Sequence, residues 1–250
     1  MYDLVCIVPL YGADCENVSL RMISSLAIQK TSYKVKYLFY YDNTVSTFAV
    51  DQVKFLMGNR KLFYDIYKVD KTCSGHKRNL GLEFAQKRSK YVWCLDQDDY
   101  LLREDAIQNI LDFCLKRNID IFKIKYDLPG ILDQENKNII SVIPTMPWQY
   151  VVRTDLINDC RFNENNEYGS DIPYSIRVLV KTGYIKINDQ LSINYIKPPL
   201  SFSVSLYFYN YLNPDSYMAE HALSEHSKKD KEVDYAYGEL RKLRAEFESN

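Results

Sequence analysis

Short apolar runs of strand length alternate with helix-length periodic segments through the first half of this chain. That alternation limits the folds open to it more than any other feature. Residues 3–8 (DLVCIV), 35–41 (VKYLFYY), 62–69 (LFYDIYKV), 91–96 (YVWCLD) and 119–126 (IDIFKIKY) read as buried strands by length and flanks. A helix is expected over 16–29, where Val18, Met22 and Leu26 recur on one face and Asp14 stands ready to cap. Others are expected over 47–57, ended by Gly58, over 75–88, opened by Gly75, and near 104–117. This βαβα order predicts an α/β fold with a mixed, mainly parallel sheet flanked by helices.

The second half has a different rhythm. Residues 138–144, 148–153, 183–189 and 191–196 read as strands and 172–182 as a helix, an extension packed on the first half. Beyond Pro214 the chain turns helical and strongly charged, with both signs interleaved, so 214–250 is expected to be a solvated helical tail. Leu240, Leu243 and Phe247 on that tail offer a way to form a homo-oligomer. The boundaries are therefore a domain over 1–213, divided at 126 into two halves, and an extension over 214–250.

Composition removes several classes. A formal net charge of -1 lacks the basic footprint of a nucleic-acid binder. Six scattered cysteines, several inside apolar runs, indicate buried free thiols in a reducing compartment rather than disulfides or a zinc site. No basic and apolar leader precedes the first strand and no run reaches the length of a membrane span, so a cytoplasmic protein without a transmembrane segment is expected.

In an open α/β sheet, ligands bind beyond the carboxyl ends of the strands. Those ends carry Pro9-Leu10-Tyr11, then Asp42-Asn43-Thr44, then Asp96-Gln97-Asp98-Asp99, and the turn before the third helix carries Ser74 to Asn79. A ring, an isolated acid, a basic turn and an acid cluster on one rim suit a nucleoside diphosphate. If the backbone at the cluster is extended, Asp96 and Asp98 point one way and Asp99 the other. Adjacent carboxylates repel unless a cation joins them, and oxygen ligands select a hard divalent ion, Mn²⁺ or Mg²⁺. Solvated acids capping a helix are the plain alternative, but the position directly after a buried strand argues for the metal.

These segments together resemble glycosyltransferase family 2, the enzymes with a GT-A (nucleotide-diphospho-sugar transferase) fold. The marks are IVPLYGADCENVSLRMISSL, LFYYDNT, SGHKRNLGLEFAQKRSKYVWCLDQDDYL and PWQYVVRTDLINDCRFNENNEYGSDIPYSIRV, and they span about residues 3–205. The resemblance implies an inverting, single-displacement transfer of a sugar, from a nucleotide-sugar donor that is UDP-linked, to a carbohydrate, lipid-linked or protein acceptor. It implies that Pro9 and Tyr11 shape and stack on the base, that Asp42 hydrogen-bonds it, and that Arg78 approaches base or diphosphate. It places Asp96 at ribose and metal, Asp98 as principal metal ligand with Asp99 assisting, Asp171 as catalytic base and Trp148 beside the acceptor. The family usually carries Glu-Asp at the base, whereas this chain has Ser170-Asp171, which also reads as a helix cap.

Rival enzymes fit less well. The chain has no G-x-x-x-x-G-K-[ST], no G-x-G-x-x-G after the first strand, and no Q-x-x-R-W of the processive polymer synthases. A nucleotidyltransferase leaves the GSDIPYSIR segment without a role. The alternative from another class is a non-catalytic protein that keeps the GT-A fold to bind a nucleotide sugar.

Overall fold

A computed structural model describes residues 1–12, 15–70, 73–101, 103–123, 125–127, 147, 150–164, 171–182, 185–187, 193–195 and 208–211. In chain order the elements are β1 (Tyr2–Pro9), α1 (Cys15–Ala27), β2 (Val35–Tyr41), α2 (Thr47–Asn59), β3 (Phe63–Lys68), α3 (Ser74–Gln86), β4 (Ser89–Cys94), β5 (Asp99–Leu101) and α4 (Ala106–Arg117). They continue with β6 (Ile121–Lys123), β7 (Lys125–Asp127), β8 (Tyr150–Arg153), a 3-10 turn (Thr154–Leu156), α5 (Asp171–Lys181), β9 (Ile185–Ile187), β10 (Ile193–Tyr195) and β11 (Phe208–Tyr211).

Six strands form the main sheet in the order β3-β2-β1-β4-β8-β6. The first four run parallel, and β8 is antiparallel to both β4 and β6. The continuous apolar character of β1 follows from its central place: Leu4 to Val8 are fully buried because both faces of the sheet are covered. On one face Leu4, Cys6, Val8, Phe39 and Trp93 pack with Met22, Ile23 and Leu26 of α1, Val53 and Met57 of α2, and Ile107 and Leu111 of α4. On the other, Val5, Ile7, Leu38 and Val92 meet Leu82 and Ala85 of α3 and Val178 and Leu179 of α5. Cys6, Cys94, Cys114 and Cys160 are buried free thiols, as their apolar contexts required. No helix among the described residues is long and apolar enough to cross a membrane.

Several expectations are revised. Gly58 does not end α2, which continues to Asn59; the left-handed residue is Lys61 (φ 53°). Its N–H bonds to the Gly58 carbonyl at 2.9 Å and that of Leu62 to Met57 at 3.1 Å, so the terminal carbonyls are satisfied without glycine at the turn. The apolar run 119–126 is not one strand. Its first half becomes β6 of the main sheet, whereas β7 joins a separate three-stranded sheet, β5-β11-β7. Neither β5 nor β11 was anticipated; of the strand expected over 148–153, residues Tyr150–Arg153 are described and form β8. The Asp14 cap, the strand over 138–144, Trp148 and the tail over 214–250 lie outside the described residues.

Gly81 sets how closely α3 approaches the sheet. A Cβ added there would stand 2.6 Å from Ile7 Cγ2, inside van der Waals contact. Gly81→Ala is therefore expected to destabilise the fold by about 1–3 kcal/mol, the usual cost of overpacking. Urea unfolding measures this, and Ile7→Ala, which removes all three clashing carbons, should cost less in the Gly81→Ala background than in the parent.

Candidate active site

The carboxyl ends of β1, β2 and β4 meet at one rim, as the sequence predicts. The loop after β1 is tied to both neighbours. Leu10 N–H donates to the Tyr40 carbonyl (2.8 Å), and Gly12 N–H donates to Thr44 Oγ1 (2.9 Å). The Gln97 side-chain amide spans the gap from the other side, accepting from Tyr11 N–H and donating to the Tyr11 carbonyl, both at 2.9 Å. Pro9 closes β1, and Tyr11 beyond it remains 38% exposed, so part of its ring faces solvent at the rim.

Asp42 sits at the foot of this arrangement and is only 1% exposed. One oxygen accepts from the Thr44 N–H (2.7 Å) and hydroxyl (2.5 Å); the other accepts from Lys77 Nζ (2.5 Å). Lys77 Nζ also donates to the Leu10 carbonyl at 2.7 Å and lies 5.9 Å from the centroid of the Tyr11 ring. Burial works to raise the Asp42 carboxyl, but the Lys77 and Thr44 donors prevail and hold it below the ordinary carboxylate value. Sequence reasoning missed Lys77, Thr44 and Gln97. Each stands next to a residue it singled out, but nothing in the chain announces which of two neighbours turns inward.

The acid cluster is compact. Gln97 and Asp98 form a turn, and Asp99 N–H approaches the Asp96 carbonyl at 3.4 Å. The expectation that Asp99 points away from Asp96 and Asp98 is therefore corrected, because strand alternation does not apply through a turn. Carboxylate oxygens of Asp96, Asp98 and Asp99 all lie within 4.8 Å of one another. Asp99 is wholly buried where it opens β5, opposite Tyr211 of β11. Burial pushes the Asp96 carboxyl up to about 7; Arg78 opposes the rise, while Asp98 and Asp171 add to it. Asp98 is also raised, by burial first. Three convergent carboxylates with oxygen as the donor atom fit a hard divalent cation, which would offset the burial that raises Asp96 and Asp98.

Arg78 joins this cluster to the second half of the chain. Nη1 donates to Asp171 Oδ1 at 2.7 Å, Nη2 donates to Asp96 Oδ1, and the guanidinium carbon lies 5.3 Å from the centroid of Phe162. Its side chain is 4% exposed, against 16% for Asp96 and 23% for Asp171. The structure thus shows Arg78 engaged with two carboxylates, one at the end of β4 and one opening α5, rather than facing open solvent.

Residues 162–164 are locked onto α3. The Asn79 amide accepts from Phe162 N–H (2.8 Å) and donates to the Phe162 carbonyl (3.0 Å) and to Glu164 (2.9 Å), which also meets His76 at 2.9 Å. Gly75 is required there, since a Cβ would stand 2.5 Å from the Asn163 carbonyl oxygen. Phe162 stacks on Tyr174 of α5, with centroids 4.0 Å apart, and Tyr150 Oη donates to Ser175 Oγ at 2.8 Å. These contacts fix the first turn of α5 and with it Asp171.

The architecture is that of the GT-A glycosyltransferases, and solved structures share it. TarS of S. aureus in complex with UDP superposes with a TM-score of 0.62 at 19% identity, covering 86% of this chain and 62% of that one. TarS in complex with UDP-GlcNAc gives 0.61 at 20% identity, covering 83% and 58%. The mannosyltransferase PcManGT from Pyrobaculum calidifontis, in complex with GDP-Man and Mn²⁺, gives 0.51 at 13% identity, covering 71% and 54%. The chain therefore spans less than two thirds of the length of these neighbours. No protein-family model matches the chain, and no curated protein matches it in sequence.

The buried Lys77–Asp42 pair carries a stability prediction. Asp42→Asn should cost about 3–5 kcal/mol at neutral pH, because it leaves the Lys77 charge buried without its counter-ion. The contribution of a depressed carboxylate is present above its unfolded value, about 3.9, and is lost as pH falls through the lower folded one. The gap between parent and variant should therefore narrow below about pH 4. Urea titrations across pH test this, with the double variant that adds Lys77→Met expected to recover part of the loss.

Proposed function

We propose that this chain is a metal-dependent, inverting glycosyltransferase that moves one hexose or N-acetylhexosamine from a UDP-linked donor to an acceptor hydroxyl. One observation carries the reading. At the carboxyl end of β4 the GT-A fold gathers Asp96, Asp98 and Asp99, and a single guanidinium separates them from Asp171. The neighbours in complex with UDP, UDP-GlcNAc, and GDP-Man with Mn²⁺ support the donor class and the need for a cation.

Asp96, Asp98 and Asp99 would hold Mn²⁺ or Mg²⁺. When bound, the cation neutralises charge that gathers on the departing diphosphate. In this reading Pro9 and Tyr11 border the nucleobase, with the Tyr11 ring stacking on it. Asp42 accepts from the base edge through the one Oδ2 lone pair that Lys77 leaves. Asp171 takes the proton of the acceptor hydroxyl as that oxygen attacks the anomeric carbon from the side opposite the diphosphate. Residues 1–126 form the donor half and 127–213 the acceptor half, where Trp148 borders the acceptor.

Two variants separate donor binding from chemistry. Asp98→Ala should abolish the Mn²⁺ dependence of UDP binding in calorimetry while leaving the melting transition in place; unchanged Mn²⁺ dependence moves the metal elsewhere. Asp171→Asn keeps the size of the side chain and its ability to cap α5. With Mn²⁺ saturating, it should bind UDP as the parent does, and release UDP from UDP-GlcNAc or UDP-glucose about 10²–10⁴-fold more slowly, the usual contribution of a positioned base. Parental turnover in that variant would return Asp171 to a purely structural role.

A further inference from the structure

We infer that Arg78 is a built-in competitor for the metal site, a clamp that closes the acid cluster when no cation is bound and ties its opening to Asp171. The inference rests on the proposed metal-binding reading. The guanidinium has two partners on different elements: Asp96, one of the three carboxylates that converge, and Asp171 at the start of α5. The bond to Asp96 places a positive charge where a cation would need that oxygen, so the two compete for the same lone pairs.

Three features make this more than an incidental ion pair. The Arg78 side chain is 4% exposed, so water cannot take over its role when a partner leaves. Phe162 supports the guanidinium at 5.3 Å, and Phe162 is itself held by the Asn79 amide on both backbone atoms. Releasing Asp96 leaves Arg78 with Asp171 at 2.7 Å and its aromatic floor, and Nη2, which water cannot reach, would close on the second oxygen of Asp171. A cation arriving at Asp96 would shift Arg78 wholly onto Asp171, and a change at Asp171 would be felt at the metal. Binding free energies linked in this way are reciprocal.

The charge-conserving variant Arg78→Lys separates a clamp from a general electrostatic effect. A lysine keeps the positive charge but cannot bridge two carboxylates with a planar fork. With Mn²⁺ alone as the probe, followed by paramagnetic resonance of the free ion, Arg78→Lys and Arg78→Gln should both bind about tenfold more tightly than the parent, the scale of one charge-assisted hydrogen bond. Parental affinity in Arg78→Lys with tighter binding in Arg78→Gln would reduce the effect to net charge and overturn the clamp. Weaker binding in both would make Arg78 a structural support and overturn it equally. If Mn²⁺ binds neither parent nor variants, the metal reading itself fails. Should the variants not fold, crystals of the parent soaked in Mn²⁺ decide the matter. An ion seated with Arg78 withdrawn from Asp96 supports the clamp, and an ion seated with that hydrogen bond intact refutes it.

Discussion

Two adjacent positive charges are buried in the first turn of α3, and the rest of the site is arranged around offsetting them. Lys77 is fully buried and Arg78 nearly so. Removing each charge from water costs several kcal/mol, and both stand at the end of a helix where the backbone dipole disfavours cations. The first turn of α3 contains no acid of its own. The counter-charges have to come from elsewhere: Asp42 from the end of β2 for Lys77, Asp96 from the end of β4 and Asp171 from α5 for Arg78. A single helical turn thereby draws three separate segments to one point.

The same helix joins the two halves of the chain. Gly81 lets α3 lie against Ile7 at the centre of the sheet, while Gly75 lets its first turn touch the backbone at Asn163. Asn79 holds Phe162, and Phe162 stacks on Tyr174 beneath the first turn of α5. Asp171 is thus set relative to the acid cluster through rigid packing, not through a loop free to move on its own. Catalytic groups held on packed elements keep their geometry better than groups on loops. The repulsion among four gathered carboxylates is offset by one guanidinium while burial adds to its cost, which is why a cation is a natural further occupant.

The parallel core was legible because its physics is local and repetitive. A strand covered on both faces must be apolar throughout, and β1, β2 and β4 were readable for that reason. The break between β6 and β7 was not, since a continuous run carries no mark for the residue at which a chain leaves one sheet for another. β5 and β11 are short strands whose pairing joins residues far apart in sequence, such as Asp99 and Tyr211, and local pattern holds no trace of it. The site divided in the same way. Asp96, Asp98, Asp42 and Tyr11 stood out as polar or aromatic residues at strand ends, whereas Lys77 and Asn79 were legible only as part of a basic turn and Gln97 only as a neighbour of the acids, with no sign of the partners they take.

The sequence by itself determined the layered α/β order, the rim formed by the carboxyl ends of the parallel strands, and the types of residue that stand there. Period and composition act over a few residues and need no partner. The tertiary structure alone decided that Asp99 turns toward Asp96 and Asp98, that Lys77 belongs to Asp42, and that Arg78 stands between Asp96 and Asp171. These are choices among partners distant in the chain. They are made by the cost of leaving a buried charge unmatched, which acts through space and leaves no periodic signature in sequence.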